Sequence, residues 1–194
     1  NGKCIGDRMG LSTADRMMIQ VPMFHCFGLI IGTFYPLLSG GRVFIYPTPL
    51  HYRAIPEWVY NIGATMLFGT DTFLHSYAKV AHPFDFDSLR FVLGSAEPVQ
   101  KQTRDLWMEK FGIRIFEGYG STECSPFLTV NNRIFCNFNS VGKLLPDIEY
   151  KLKNVEGIAD AGSLCVKGPN IMLGYMTSER PTEMVRPVGG WFDT

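Results

Sequence analysis

Short apolar runs alternate with longer stretches whose apolar positions recur at helical spacing over the first two thirds of the chain. Residues 16–21, 42–46, 65–68, 89–93 and 113–116 read as short buried strands. Between them, residues 28–38 are apolar throughout and precede Gly40-Gly41, which predicts a buried helix closed by glycine. Residues 55–61 form a second helical segment. A third starts at Thr70 or Asp71, either of which can cap it, and runs to about Ala81. In the fourth, Val99, Thr103, Leu106, Trp107 and Phe111 share one side and Gly112 ends the run, with Pro98 suited to its first turn. Strand and helix in alternation predict an α/β fold: a mainly parallel sheet, right-handed crossovers and helices on both faces.

Beyond residue 139 the pattern changes. Residues 141–143, 148–153 and 163–167 are short strand candidates separated by Gly, Pro and Asp, and helical spacing returns only near Thr182. Residues 1–140 are therefore expected to form an α/β core, and residues 141–194 the beginning of a small antiparallel β subdomain.

Composition narrows the function classes. Of the 194 residues 46% are apolar and 19% charged, and the formal net charge is zero, so no basic stripe points to nucleic acid. No apolar run is long enough for a transmembrane helix. The five cysteines (Cys4, Cys26, Cys124, Cys136, Cys165) are scattered and form no Cys-x-x-Cys pair, which fits a reducing, cytoplasmic compartment better than a disulfide or zinc framework.

The stretch with most chemistry runs from Phe116 to Pro126, Phe-Glu-Gly-Tyr-Gly-Ser-Thr-Glu-Cys-Ser-Pro. It follows the strand at 113–116, and ligands of open α/β sheets bind where strands end. Gly118 and Gly120 would let the backbone turn and approach a ligand closely. Tyr119 offers a ring for stacking, and Ser121 and Thr122 offer hydroxyls to phosphate oxygens. Glu123 would repel a bare phosphate, so its place beside them suggests a bridging Mg²⁺. Taken alone, glycines with Ser and Thr after a strand make an ordinary turn as readily as a site.

Gly-Tyr-Gly-Ser-Thr-Glu resembles the Tyr-Gly-x-Thr-Glu motif of the adenylate-forming, AMP-dependent synthetases, and three further segments resemble that family in the same order. Pro22-Met23-Phe24-His25-Cys26-Phe27-Gly28 is similar to its Pro-x-x-His-x-x-Gly segment. Gly94-Ser95-Ala96-Glu97-Pro98 is similar to the loop lying along adenine. Gly168 to Tyr175 is similar to its Gly-x-x-x-x-Gly-Tyr element. The resemblance implies ATP and Mg²⁺ as cofactors and activation of a carboxylic acid as acyl-adenylate. Tyr119 would stack on the base, Thr122 hold the α-phosphate, Glu123 ligate the metal, and His25 border the acyl and pyrophosphate pocket. Ser95, Ala96, Glu97, Pro98, Gly118, Gly120 and Ser121 would line the nucleotide. Phe24, Phe27, Phe68, Gly69 and Gly94 are candidates for the wall of an acyl tunnel, although aromatics at such places are as often plain core.

Residues 47–53, 67–70 and 110–115 resemble one branch of that family, in which an acyl-acyl carrier protein synthetase is joined to a 2-acylglycerophosphoethanolamine acyltransferase. That branch implies a fatty acid, the thiol of acyl carrier protein, a lysophospholipid acceptor, and a place at the cytoplasmic face of a bacterial inner membrane. Coenzyme A as the thiol, in a long-chain acyl-CoA synthetase, and an inert binding module remain alternatives. The family's phosphate loop would precede residue 1. Its ribose-binding Asp would follow Thr194, so Asp193 is not that residue, and a C-terminal domain with a catalytic Lys would lie further on. This stretch alone is expected to be inactive. His82 to Asp87 also fits the His-x-x-x-x-Asp pattern of glycerolipid acyltransferases, but its setting before a strand reads as a capping turn. Gly118-x-Gly120-x-x-Glu123 fails the dinucleotide fingerprint, which needs Gly or Ala at the last position.

Overall fold

Five parallel strands carry the centre of the computed structural model, which describes residues 1–194 apart from the side chain of residue 180. They are β1 (Arg16–Ile19), β2 (Arg42–Ile45), β3 (Met66–Gly69), β4 (Phe91–Gly94) and β5 (Ile115–Gly120), in the order β2-β1-β3-β4-β5. β6 (Phe127–Val130) pairs antiparallel with β5, and β7 (Lys143–Leu144) antiparallel with β6, completing a seven-stranded sheet.

Side chains alternate across the sheet, and each face is covered. Met17, Ile19, Phe68, Phe91, Leu93 and Phe116 pack with α1 (Gly2–Met9) and with a π-helix over Phe27–Phe34. Met18, Leu67, Val92 and Ile115 pack with α3 (Ala54–Ile62), α4 (Asp71–Val80) and α5 (Lys101–Phe111). The local signals act as read from the sequence. Thr70 caps α4 by accepting from the Phe73 N–H, and Gly112 closes α5 in the left-handed conformation. Trp107 is fully buried, donates from its indole N–H to the Leu74 carbonyl at 2.9 Å, and stacks on Phe86.

Four details differ from the sequence expectation. The helix at 28–38 is a π-helix that passes into a short α2 (Tyr35–Leu38), and only one face of it is buried: Leu38 is 86% exposed. Its buried face is held close to β1 because Gly32 has no side chain; a Cβ there would lie 3.0 Å from the side chain of Ile19. Pro98 lies before α5 rather than in its first turn, because the Gln100 N–H is tied to Asp71 Oδ1 at 2.8 Å and Gln100 is the cap. α1 has no counterpart in the sequence reading, and in it Ile5 and Met9, one turn apart, are buried. The chain near Thr182 is not helical: β11 (Arg180–Val185) forms a hairpin with β10 (Tyr175–Thr177).

Beyond β7, β8 (Glu149–Asn154), β9 (Gly162–Lys167) and β12 (Phe192–Asp193) make an antiparallel sheet in the order β12-β9-β8. Cys124, just before β6, and Leu128, within it, pack against Val166 of β9.

Candidate active site

The carboxyl ends of β3 and β4 lie level, with Gly69 opposite Gly94, and Gly94 lies opposite Glu117 of β5, which runs on past them to Gly120. From Gly94 the chain turns through Ser95-Ala96-Glu97-Pro98, with Ala96 in the left-handed conformation at φ 72°. Ser95 fixes this loop at both sides. Its N–H donates to the Gly69 carbonyl at 3.1 Å and its hydroxyl to the Gly118 carbonyl at 2.9 Å. Glu97 accepts from the Thr72 N–H at 2.8 Å in the first turn of α4. The Thr70 hydroxyl and, next to it, the Thr72 N–H hold its carboxyl below the usual range.

The glycine motif is not a loop. β5 runs through Gly120, paired with β6, and neither Gly118 nor Gly120 has a positive φ. A Cβ on Gly118 would lie 2.7 Å from the ring of Phe127, and one on Gly120 would overlap the Pro126 carbonyl. Glycine is required there by the close approach of β6, which corrects the turn expected from the sequence. The chain leaves the sheet one residue later, in a 3₁₀ turn over Thr122–Cys124.

Two adjoining cavities open at this edge. One, of about 580 Å³, lies between the 94–101 segment, residues 117–120, Arg104 and residues 139–141. Its size is that of a small-molecule site. The other, of about 300 Å³, is lined by His25, Cys26, Phe27, Ser121, Thr122, Glu123, Pro126 and Phe127. Ser95, Ala96 and Gly120 belong to both. The fold thus gathers Gly94, Ser95, Ala96, Glu97, Pro98, Gly118, Tyr119 and Gly120 around the first cavity, and His25, Phe27, Ser121, Thr122 and Glu123 around the second. Tyr119 stands at the rim, and its hydroxyl donates to Thr194 Oγ1 at 3.0 Å. His25 Nδ1 accepts from the Phe27 N–H at 3.2 Å, and Cys26 Sγ lies 3.5 Å from Thr122 Oγ1.

Phe24, Phe68 and Gly69 line neither of these two cavities. Phe24 is 93% exposed, and Phe68 is core, its ring edge-on to Phe27 at 5.7 Å between centroids. A Cβ on Gly69 would point at Leu74 of α4, 3.1 Å away.

Glu123 is held by two contacts and its neighbour Cys124 by a third. Oε1 accepts from the Tyr175 hydroxyl at 2.9 Å, and its backbone carbonyl accepts from the Met172 N–H at 2.8 Å. Asn170 Nδ2 donates to the next carbonyl, that of Cys124, at 2.7 Å. The carboxyl is kept below the usual range by its own backbone N–H and then by Tyr175. Among the described residues no group of three or more His, Cys, Asp or Glu could hold a metal unaided. A lone carboxylate beside hydroxyls nevertheless suits Mg²⁺, which keeps its waters and takes further oxygens from phosphates.

The rival motifs resolve as structure. Residues 82–87 form a turn before β4, in which the His82 N–H donates to Asp85 Oδ2 at 2.7 Å and the Asp87 N–H to the Phe84 carbonyl at 3.2 Å. Asp193 is bound by Ser163 and Lys153 within the three-stranded sheet. Sequence reading passed over Arg104 and Asn139, which wall the larger cavity, and Cys26 in the smaller one. Arg104 lies on a helix of which only the apolar side is patterned, and nothing in the sequence marks it. No helix among the described residues is long and apolar enough to cross a membrane.

The profile of the family described as AMP-binding enzyme matches residues 2–176. The chain is 30% identical over 189 residues to "Probable 4-coumarate--CoA ligase 1" of Dictyostelium discoideum, covering 93% of this chain and 34% of that protein. It is 30% identical over 187 residues to "Long-chain-fatty-acid--CoA ligase" of Salmonella typhimurium, covering 93% and 33%. The chain therefore spans about a third of the length of the curated relatives it matches. Among solved structures, that of the anthranilate CoA ligase AuaEII in complex with anthranoyl-AMP shares the fold, with a TM-score of 0.84, 20% identity, and coverage of 100% of this chain and 39% of that one.

Proposed function

This chain belongs to the AMP-binding enzyme family, and from that premise we propose that it supplies part of the active site of a fatty acid–thiol ligase. In this reading a fatty acid carboxylate attacks the α-phosphate of ATP, pyrophosphate leaves, and a thiol then displaces AMP from the acyl-adenylate. The observation that carries the reading is the junction of the two cavities at Ser95, Ala96 and Gly120. One cavity has a flat aromatic rim and fits a base. The other presents hydroxyls, a carboxylate and an imidazole where phosphates and the reacting carboxylate would meet.

Each residue then has a task. Tyr119 and the Ser95-Ala96-Glu97-Pro98 loop would enclose the base. Ser121 and Thr122 would donate to phosphate oxygens, fixing the α-phosphorus for attack. Glu123 would hold Mg²⁺, whose contribution is to neutralise phosphate charge. His25, with its Nδ1 engaged by the Phe27 N–H, would turn Nε2 towards the acyl carboxylate and pyrophosphate. Phe27 and Gly94 would begin the acyl wall.

The resemblance at residues 47–53, 67–70 and 110–115 favours acyl carrier protein as the thiol, with lysophospholipid reacylation as the destination of the acyl group. The printed names of the relatives favour coenzyme A. One experiment addresses both levels. The full-length enzyme is assayed for fatty acid-dependent ATP–pyrophosphate exchange and then for acyl transfer to acyl carrier protein or coenzyme A in competition. Exchange followed by preference for the carrier protein supports the finer reading, and preference for coenzyme A replaces it. Absence of exchange overturns the ligase assignment.

A further inference from the structure

Three walls of the larger cavity meet at one side chain. Arg104, on α5, donates from Nη1 to the Val99 carbonyl at 2.6 Å and to Glu117 Oε1 at 3.1 Å. Its Nη2 reaches Asn139 Oδ1 at 3.4 Å. Val99 continues the 94–98 loop, Glu117 is the strand residue before the Gly-Tyr-Gly segment, and Asn139 sits on the far wall in the left-handed conformation. The Arg104 and Glu117 side chains are 17% and 15% exposed, so both charges are largely withdrawn from water and depend on each other. A planar fork with several donors can span three partners at once, as a lysine ammonium on a flexible stem cannot.

Behind Arg104 lies a second space. A cavity of about 310 Å³ is lined by Lys101, Arg104 and Asn139 on the side shared with the first, by Met108, Ile115 and Phe138 on its apolar side, and by Asp105 and Arg114. Phe138 is covered by the Arg114 guanidinium at 5.5 Å. The Arg104 side chain and its bond to Asn139 stand at the boundary between the two spaces.

We infer that Arg104 is a specificity-determining positioning residue: it sets the width of the nucleotide cavity and bars substituted bases from the apolar space behind it. The inference rests on the reading of the larger cavity as the site of the base. A purely structural arginine would matter for stability alone. A partition also decides which nucleotides fit, because removing it joins a base-sized cavity to an apolar one of benzyl size.

The test uses the full-length enzyme and fatty acid-dependent ATP–pyrophosphate exchange with ATP and with ATP analogues carrying a benzyl group at N6, C2 or C8 of the base. Arg104→Ala should raise the KM for ATP about tenfold while kcat falls much less. It should also improve the use of at least one benzyl analogue relative to ATP by tenfold or more over wild type. Arg104→Lys should recover little of the ATP affinity, because the fork is lost although the charge remains. Truncating Arg104 leaves Glu117 unpaired, so melting is followed alongside, and Arg104→Ala combined with Glu117→Gln removes the orphaned charge and decides the matter if the single variant is unstable. A folded variant with unchanged KM for ATP and unchanged discrimination against all three analogues overturns the inference. Failure of the underlying reading looks different: Tyr119→Ala would then leave the KM for ATP of the wild-type background unaltered.

Discussion

The hydroxyl of Tyr175 donates a 2.9 Å hydrogen bond to Oε1 of Glu123, across 52 residues of sequence. With it, the Met172 N–H and the Asn170 side chain grip the same 3₁₀ turn, at the carbonyls of Glu123 and Cys124. The element Gly168–Tyr175, similar in sequence to a family motif but without a role legible there, thus acts as a strap over the turn that carries Thr122 and Glu123.

Glu123→Gln in the full-length enzyme keeps the shape of the side chain and removes its charge. Adenylation should fall roughly a hundredfold, the scale of losing a transition-state charge contact of about 3 kcal/mol. Excess Mg²⁺ should restore part of the rate. Thioester formation from preformed acyl-adenylate should suffer far less, because pyrophosphate has already left. If both half-reactions drop equally and Mg²⁺ gives no rescue, Glu123 holds the turn and not the metal.

Tyr175→Phe removes the hydroxyl and leaves the ring. The carboxylate then loses one of the donors that orient it, so the KM for Mg-ATP in the full-length enzyme should rise modestly. Protection of the Met172 amide from hydrogen exchange should fall as the strap loosens. An unchanged KM together with unchanged exchange would show that the Met172 N–H and the Asn170 side chain hold the turn without Tyr175.

Gly69→Ala probes the acyl wall expected from the sequence. Its Cβ would meet Leu74 Cγ and Cδ2 at 3.1 Å, on the α4 side of the sheet. Overpacking of this kind costs about 1–3 kcal/mol. The variant should melt earlier and keep its preference among fatty acid chain lengths. A shortened preference with unaltered melting would return Gly69 to the acyl wall.

Asp15 gives the fold an acid-sensitive tie. Its carboxylate is almost fully buried and accepts from Arg90 Nε and Nη2, each at 2.5 Å, and from the Thr65 hydroxyl at 2.7 Å. Burial alone would raise its pKa, but the bonds from Arg90, Thr65 and the Ser12 N–H outweigh it and bring the carboxyl to about 2. The folded value is depressed, so this stabilisation is complete above the unfolded pKa near 4 and is lost as pH falls towards 2. Asp15→Asn should lower stability at neutral pH by roughly 2 kcal/mol and flatten the fall in melting temperature between about pH 4 and pH 2. A variant that keeps the wild-type acid slope would remove Asp15 from this role.

Much of the architecture is written locally. Apolar runs such as Phe91-Val92-Leu93 alternate across a sheet whatever lies beyond them, and Thr70 and Gly112 act on their own helix ends, so periodicity and capping sufficed for the α/β class. The Gly-Tyr-Gly-Ser-Thr-Glu motif was visible for the same reason: its residues are contiguous. The bounds of α5 were less legible, because the Gln100 N–H is claimed by Asp71, which lies 29 residues earlier.

What only the tertiary structure decided is what each residue meets. Sequence assigned Gly118 and Gly120 to a turn, whereas the approach of β6 requires them in a strand. It grouped Phe27 and Phe68 as equals, whereas Phe68 is sealed in the core and Phe27 also reaches a cavity. It left Arg104 and Tyr175 without roles, because those roles depend on Glu117, Asn139 and Glu123, far along the chain. Local propensity is set by neighbours within a turn or a strand, so sequence alone determines the elements. A hydrogen bond between distant side chains forms only where packing brings donor and acceptor within about 3 Å, and that distance is a property of the folded chain.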